Sequence, residues 1–163
     1  MGAGKTTIGR SLAKRLGLDF IDSDREIEAR TGVSIPTIFE IESEDGFRRR
    51  EAQVIAELSR QSGQVVATGG GVVLRPENRY NMSASGFVVY LNVPPHTLWE
   101  RTRHDRNRPL LQVQDPLLRL KELYAQRDPL YRDVANLVVD GSRINAQGVL
   151  QLLVKEVGEQ WKL

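Results

Sequence analysis

Apolar residues recur at helical spacing from Thr6 to Leu16. Ile8, Leu12, Ala13 and Leu16 share one face, and Gly17 is placed to end the helix. Leu18 to Ile21 reads as a short strand running into Asp22-Ser23-Asp24. Helical material follows from about Arg25 to Arg30 and stops at Thr31-Gly32. Ser34 can cap a further helix with Pro36 in its first turn, turning Ile38, Phe39 and Ile41 inward. After Glu44-Asp45-Gly46 a longer helix runs to about Gln61, with Phe47, Val54, Ile55 and Leu58 as its stripe.

The second half alternates in the same way. Gln64 to Thr68 reads as a strand broken by Gly69-Gly70-Gly71, and Phe87 to Val93 as a second one followed by Pro94-Pro95. Continuous apolar runs of this kind suit parallel strands buried on both faces. Helices are expected over Thr97–Arg103 and roughly Pro116–Gln126, then a last strand, Ala135–Val139, and a last helix, Ala146–Gln160. Strands alternating with helices predict an α/β fold with a parallel sheet. There is no repeat and no interdomain linker, so residues 1–163 are expected to form one domain.

Composition narrows the function. Twenty-three Lys plus Arg nearly balance 21 Asp plus Glu, a formal charge of +2. Any local basic cluster therefore serves a local anion. That balance, and the lack of an aromatic stacking platform, argue against a nucleic-acid partner. Cysteine is absent, which excludes disulfides and thiolate metal sites. The longest apolar runs, such as Phe87 to Leu91, are too short to span a bilayer, and no apolar export segment is visible. A cytoplasmic protein without a membrane partner is the expectation, and a monomer is the default taken alongside it rather than a reading of these features.

Gly2-Ala3-Gly4-Lys5-Thr6-Thr7 opens directly onto the first helix and matches the end of a Walker A loop, less its first Gly. Glycines let successive N–H groups turn toward phosphate oxygens, and the helix presents its positive dipole end to the same anion. Lys5 would reach the β- and γ-phosphates of ATP, and the Thr6 hydroxyl would bind Mg²⁺. An ordinary Gly-rich turn is the alternative. The full motif needs a strand and a Gly before this point. The chain is therefore expected to continue upstream of Met1 by roughly 8–12 residues, mostly an apolar strand of ordinary length.

Asp22 and Asp24 lie at the carboxyl end of a strand, where ligands bind in open α/β sheets. Two apart on a strand, both carboxylates can face the phosphate loop. One suits Mg²⁺ and the other the proton of an attacking hydroxyl. Capping of the next helix remains the alternative. Gly69-Gly70-Gly71 makes sense where backbone must approach a ligand, or simply as a turn. Arg48-Arg49-Arg50 fan out around a helix, so one of them, next to Phe47, is expected to enter a cleft and bind a carboxylate. Arg101, Arg103, Arg106 and Arg108-Pro109 belong to a basic segment with the composition of a lid over phosphates, or of plain solvated surface. Arg127 precedes Pro129 at an expected helix end, where an arginine usually complements the helix dipole.

Taken together, these residues resemble the shikimate kinase family. The likeness runs in order through Gly2-Ala3-Gly4-Lys5-Thr6-Thr7, Asp22-Ser23-Asp24, Gly46-Phe47-Arg48, Gly69-Gly70-Gly71, Arg108-Pro109-Leu110-Leu111 and Arg127-Asp128-Pro129-Leu130-Tyr131. It implies a P-loop kinase with a five-stranded parallel sheet, a substrate-binding region at about residues 23–60 and a lid at about 104–114. It implies transfer of the γ-phosphoryl group of ATP to the 3-hydroxyl of shikimate. Gly2, Ala3, Gly4, Lys5, Thr6 and Thr7 would bind ATP, with Arg101 at the adenine and Arg108 on the phosphates. Thr6, with Asp22 acting through water, would hold Mg²⁺. Asp24 would be the base, with Lys5 and Arg108 also catalytic. Asp24, Arg48, Gly70 and Arg127 would bind shikimate. The family's first strand lies mid-sheet, so without it two strands should face each other across a slot. A gluconate kinase on the same architecture and a kinase-like sensor without turnover are the competing readings.

Overall fold

The computed structural model describes residues 2–105 and 109–161. Its elements, in chain order, are α1 (Lys5–Leu16), β1 (Asp19–Asp22), α2 (Ser23–Thr31), α3 (Ile35–Leu58), β2 (Gln64–Ala67), α4 (Pro76–Ser85), β3 (Val89–Asn92), α5 (Pro95–Thr102), α6 (Pro116–Val134), β4 (Leu137–Asp140) and α7 (Ala146–Gln160). Short 3₁₀ turns cover Val72–Leu74 and Pro109–Leu111.

All strand pairing among the described residues is parallel. β1 runs beside β2 in register Asp19 to Gln64 through Asp22 to Ala67, and β3 beside β4 from Val89–Leu137 to Asn92–Asp140. The two pairs do not hydrogen-bond to each other. Between β2 and β3 lies a cavity of about 350 Å³, walled by Val65 and Ala67, by Val89 and Leu91, and by Ile8 and Leu12 of α1.

Helices pack on both faces. The α1 stripe meets α7 in a cluster of Ile8, Leu12, Val139, Val149 and Leu153. On the other side Ile27 of α2 meets Ile38, Phe47, Val54 and Leu58 of α3. Burying each such side chain contributes roughly 1.5–3 kcal/mol. A smaller cluster of Leu111, Leu120 and Leu123 ties the 3₁₀ turn after residue 108 to α6. No helix among the described residues is long and apolar enough to cross a membrane.

Several sequence expectations are corrected. The first strand ends at Asp22, and Asp24 stands in the first turn of α2. The cause is capping: Asp22 Oδ1 accepts from the N–H groups of Asp24 and Arg25 at 3.1 and 3.4 Å. Ile41 is 74% exposed rather than inward, because Ser43 breaks the helical path (φ 62°, ψ 178°) and reorients the turn before it. Helix α4 was not anticipated, and β3 begins at Val89 rather than Phe87. Helix α6 does not stop before Pro129 but continues to Val134. Its inward face runs on through the proline as Leu120, Leu123, Arg127, Leu130 and Val134, and that packing outweighs one lost backbone bond.

Candidate active site

The phosphate loop sits at the N-terminus of α1. Gly4 takes a left-handed conformation, φ 87°, that a side chain would resist, and so turns the chain into the helix. The first turn of α1 carries no acidic residue, leaving its positive end open to an anion. Lys5 lies one residue into this turn and lines the cleft with Ala3, Gly69, Gly70 and Arg127. Arg101, at the end of α5, reaches the same loop: it donates to the Gly2 carbonyl at 3.4 Å and to the Gly141 carbonyl at 3.5 Å. Gly2 is packed closely too, since a Cβ there would meet Thr102 Cγ2 at 2.7 Å. Thr7 faces solvent.

The Thr6 hydroxyl donates to Asp22 Oδ2 at 2.8 Å. Asp22 thus caps α2 with one oxygen, the alternative reading of the sequence, and turns the other to the Thr6 hydroxyl of the phosphate loop. Hydroxyl and carboxylate oxygens form a hard donor pair suited to Mg²⁺, which keeps waters and phosphate oxygens as its remaining ligands. The described residues hold no cluster of three or more His, Cys, Asp or Glu side chains that could retain a metal unaided. A site completed by the nucleotide's phosphates fits that composition.

Asp24 faces the glycine loop. Burial raises its carboxyl above the ordinary range and the neighbouring Asp22 charge adds to this, while Lys5 and Arg48 pull the other way. Its Oδ1 is buried without a hydrogen-bond partner. The glycine loop approaches it because it carries no side chains: a Cβ on Gly69 would lie 2.7 Å from Asp24 Oδ1 and 2.9 Å from Glu51 Oε1. A Cβ on Gly71 would run into the Arg48 guanidinium. The loop is pinned by the Gly69 N–H, which donates to the buried Ser23 hydroxyl at 3.3 Å.

Of the three consecutive arginines only Arg48 turns inward, as the helical fan requires. Arg49 and Arg50 stay at the surface, paired with Asp45 and Glu42. Arg48 donates to Glu51 Oε2 at 2.8 Å and to Glu44 Oε1 at 3.0 Å. Burial works against its charge, but these carboxylates outweigh it and hold its pKa above the ordinary value. Glu51 is 0% exposed; burial pushes its carboxyl up and Arg48 opposes that. Its second oxygen, Oε1, has no partner.

Arg127 comes from the opposite wall, on α6. It is buried, its Nε lacks a partner, and burial lowers its pKa, with the Arg48 charge adding to the effect. One turn later Tyr131 donates its hydroxyl to the Gly70 carbonyl. The expected helix-end role for Arg127 is thus replaced by a place in the helix interior, facing the cleft. The Arg108 assignment lies outside the described residues, as does the centre of the expected lid.

The structure brings Lys5, Thr6, Asp22, Asp24, Arg48, Gly70 and Arg127 around one cleft. Sequence reasoning assigned no role to Glu51, Ser23 or Tyr131. The available signal for Glu51 was its position three residues after Arg48, which puts the two on one helical face.

The family model for shikimate kinase matches residues 1–158. A shikimate kinase of Dechloromonas aromatica is 64% identical over 156 residues, covering 96% of this chain and 85% of the relative. One of Aromatoleum aromaticum is 61% identical over 157 residues, covering 96% and 90%. Among solved structures, shikimate kinase from Acinetobacter baumannii in complex with shikimate superimposes with a TM-score of 0.94 at 47% identity, over 99% of this chain and 91% of that one. The chain belongs to the shikimate kinase family.

Proposed function

We propose that this cleft phosphorylates the 3-hydroxyl of shikimate with Asp24 as base, Arg48 and Arg127 as the carboxylate clamp and the Gly70 backbone on a substrate hydroxyl. The enzyme is an ATP-dependent kinase acting on shikimate, as its family membership establishes. The observation that carries the residue assignment is that three of the four orphaned buried side-chain atoms among the described residues, Asp24 Oδ1, Glu51 Oε1 and Arg127 Nε, belong to residues of this site, the fourth being Asn78 Oδ1. Buried polar atoms are seldom left unpaired, and a bound ligand is one group that satisfies them. Two acceptors and a cationic donor match a small acid that carries several hydroxyls.

The chemistry follows from placement. Backbone N–H groups of residues 2–7, the α1 N-terminus and Lys5 hold the ATP phosphates. Thr6 and Asp22 are the residues that would hold Mg²⁺, which supplies charge neutralisation on the phosphates when bound. Asp24, made more basic by burial and by Asp22, takes the proton of the attacking hydroxyl as its oxygen bonds the γ-phosphorus and the bond from that phosphorus to the β-phosphate oxygen breaks, releasing ADP. Arg48 is held in its rotamer by Glu44 and Glu51, so it meets a carboxylate with little loss of side-chain freedom. Arg101 stands beside the loop at Gly2, where it can flank a nucleotide base. Arg108 is assigned to the phosphates on the Arg108-Pro109-Leu110-Leu111 motif alone.

The deciding experiment is ADP release measured with shikimate, with gluconate and with no acceptor. Turnover that needs shikimate supports the reading. Equal turnover with gluconate, or none that depends on an acceptor, overturns it. A second arm compares Asp24→Asn, in which shikimate-dependent turnover is expected to fall by at least about 100-fold.

A further inference from the structure

Tyr131 lies one helical turn after Arg127 on α6, on the same face. It is placed from both sides. Its ring stacks on Tyr90 with centroids 4.6 Å apart and planes 26° apart. Its hydroxyl meets the Gly70 carbonyl and the Arg127 side chain. A carbonyl can only accept and a guanidinium can only donate. The phenol therefore donates to Gly70, joining the α6 wall to the glycine loop, with the Arg127 side chain beside it.

The Gly70–Gly71 peptide is trans, like every described peptide. In a planar trans peptide the N–H points opposite to the C=O. With the Gly70 carbonyl bound to Tyr131, the Gly71 N–H is aimed away from α6. Arg48 presses on the other end of the same peptide, where a Cβ on Gly71 would strike its guanidinium. Two contacts from opposite walls thus fix one peptide plane between them. Burial pushes the Tyr131 phenol up, so it stays a protonated donor.

We infer that Tyr131 is a positioning residue: by holding the Gly70 carbonyl it orients the Gly70–Gly71 peptide to present an N–H to a substrate oxygen. The inference rests on the reading that the glycine loop and the two arginines line the shikimate site.

Tyr131→Phe tests this, because it keeps the ring and its stack and removes only the hydroxyl. The KM for shikimate should rise about tenfold, the scale of one hydrogen bond, with the KM for ATP within about twofold and kcat falling less than KM rises. Tyr90→Phe is the structural control. Its hydroxyl bonds Asp128 and Asn92 at 3.0 and 3.3 Å, away from the loop, so this variant should lose stability while its shikimate KM stays within about twofold. A Tyr131→Phe shikimate KM close to that of the unaltered protein, equal rises for both substrates, or an equal rise in Tyr90→Phe overturns the inference. Arg127→Ala separates the two levels. If it raises the shikimate KM and Tyr131→Phe does not, only the inference fails. If Arg127→Ala has no effect, the site reading fails and takes the inference with it. Should Tyr131→Phe not fold, NMR of the unaltered protein decides instead: a slowly exchanging Tyr131 hydroxyl proton close to the Gly71 α-protons, which lie on the carbonyl side of that peptide, supports the inference, and a freely exchanging one overturns it.

Discussion

Asp24 lies so close beneath Gly69 that a Cβ on the glycine would stand 2.7 Å from the carboxylate oxygen Oδ1. Glu51 Oε1 would be 2.9 Å from the same atom. The position is closed to any side chain by the groups assigned to the substrate. Gly69→Ala should therefore raise the shikimate KM and cut turnover more than tenfold, at a stability cost of about 1–3 kcal/mol from overpacking. ATP affinity should hardly change. Steady-state kinetics in both substrates checks this; a functional Gly69→Ala enzyme would mean that the loop yields easily.

Asp24→Asn should lose activity and gain stability. Burial and Asp22 raise the folded-state pKa of Asp24, so the folded protein holds this proton more tightly than the unfolded chain. Stability tied to the group is then greatest at acid pH and falls as pH rises through the folded pKa. Removing the charge cancels that loss. At neutral pH the variant should melt higher than the parent, and the difference should vanish as pH drops below the ordinary carboxylate range. Melting curves across pH decide it. The same shift places the acid limb of the kcat profile above that of an ordinary aspartate.

What the sequence made legible depended on how each signal is encoded. Helix α7 was readable to its ends because its stripe is regular and Asn145 caps it. Helix α4 was not, because it buries only Asn78 and so has no apolar stripe. Pro129 was taken as an end because local rules weigh a proline heavily, whereas the inward face of α6 runs straight across it. In the site, Arg48 was readable since three consecutive arginines cannot share one helical face. Glu51 was not, because an Arg–Glu pair three residues apart is usually a surface ion pair. Only its burial beneath the glycine loop sets it apart. That glycines 69–71 admit a close approach was also legible. That the groups approaching are Asp24, Glu51 and Arg48 required the fold.

The two substrate arginines should differ sharply in what they do for stability. Arg48 balances Glu51, which is completely buried, so Arg48→Ala strands a carboxylate and should cost about 3–5 kcal/mol. Arg127 is a buried cation near Arg48 and forms no ion pair within 4.0 Å among the described residues. Arg127→Met removes a desolvated charge and keeps the volume, so it should be neutral or stabilising. Both variants should still weaken shikimate binding by roughly 1.5–3 kcal/mol, the range for charged hydrogen bonds. Urea unfolding and calorimetry on the same samples give the two readouts. Equal stability losses would show that Arg127 has a structural partner after all.

Ser43 offers a change that should raise stability without touching the chemistry. It is exposed and sits at φ 62°, ψ 178°, within the residues assigned to helix α3. That region of backbone space is nearly reserved for glycine, and a side chain there costs of order 1–3 kcal/mol. Glycine would relieve the strain and lose about 0.5–1 kcal/mol of that gain to the freedom of the unfolded chain. Ser43→Gly should therefore stabilise the protein by about 1 kcal/mol. The hydroxyl it removes bonds only the neighbouring Glu42 carbonyl, at 2.5 Å, so nothing in the cleft is disturbed. Ser43→Val is the opposing variant, since a β-branched residue resists positive φ, and it should destabilise by more than glycine stabilises. If urea midpoints move the other way, the break in α3 is not strained at Ser43. The kinetic constants of Ser43→Gly should match those of the parent, because Glu44, the neighbour that bonds Arg48, is retained in the variant.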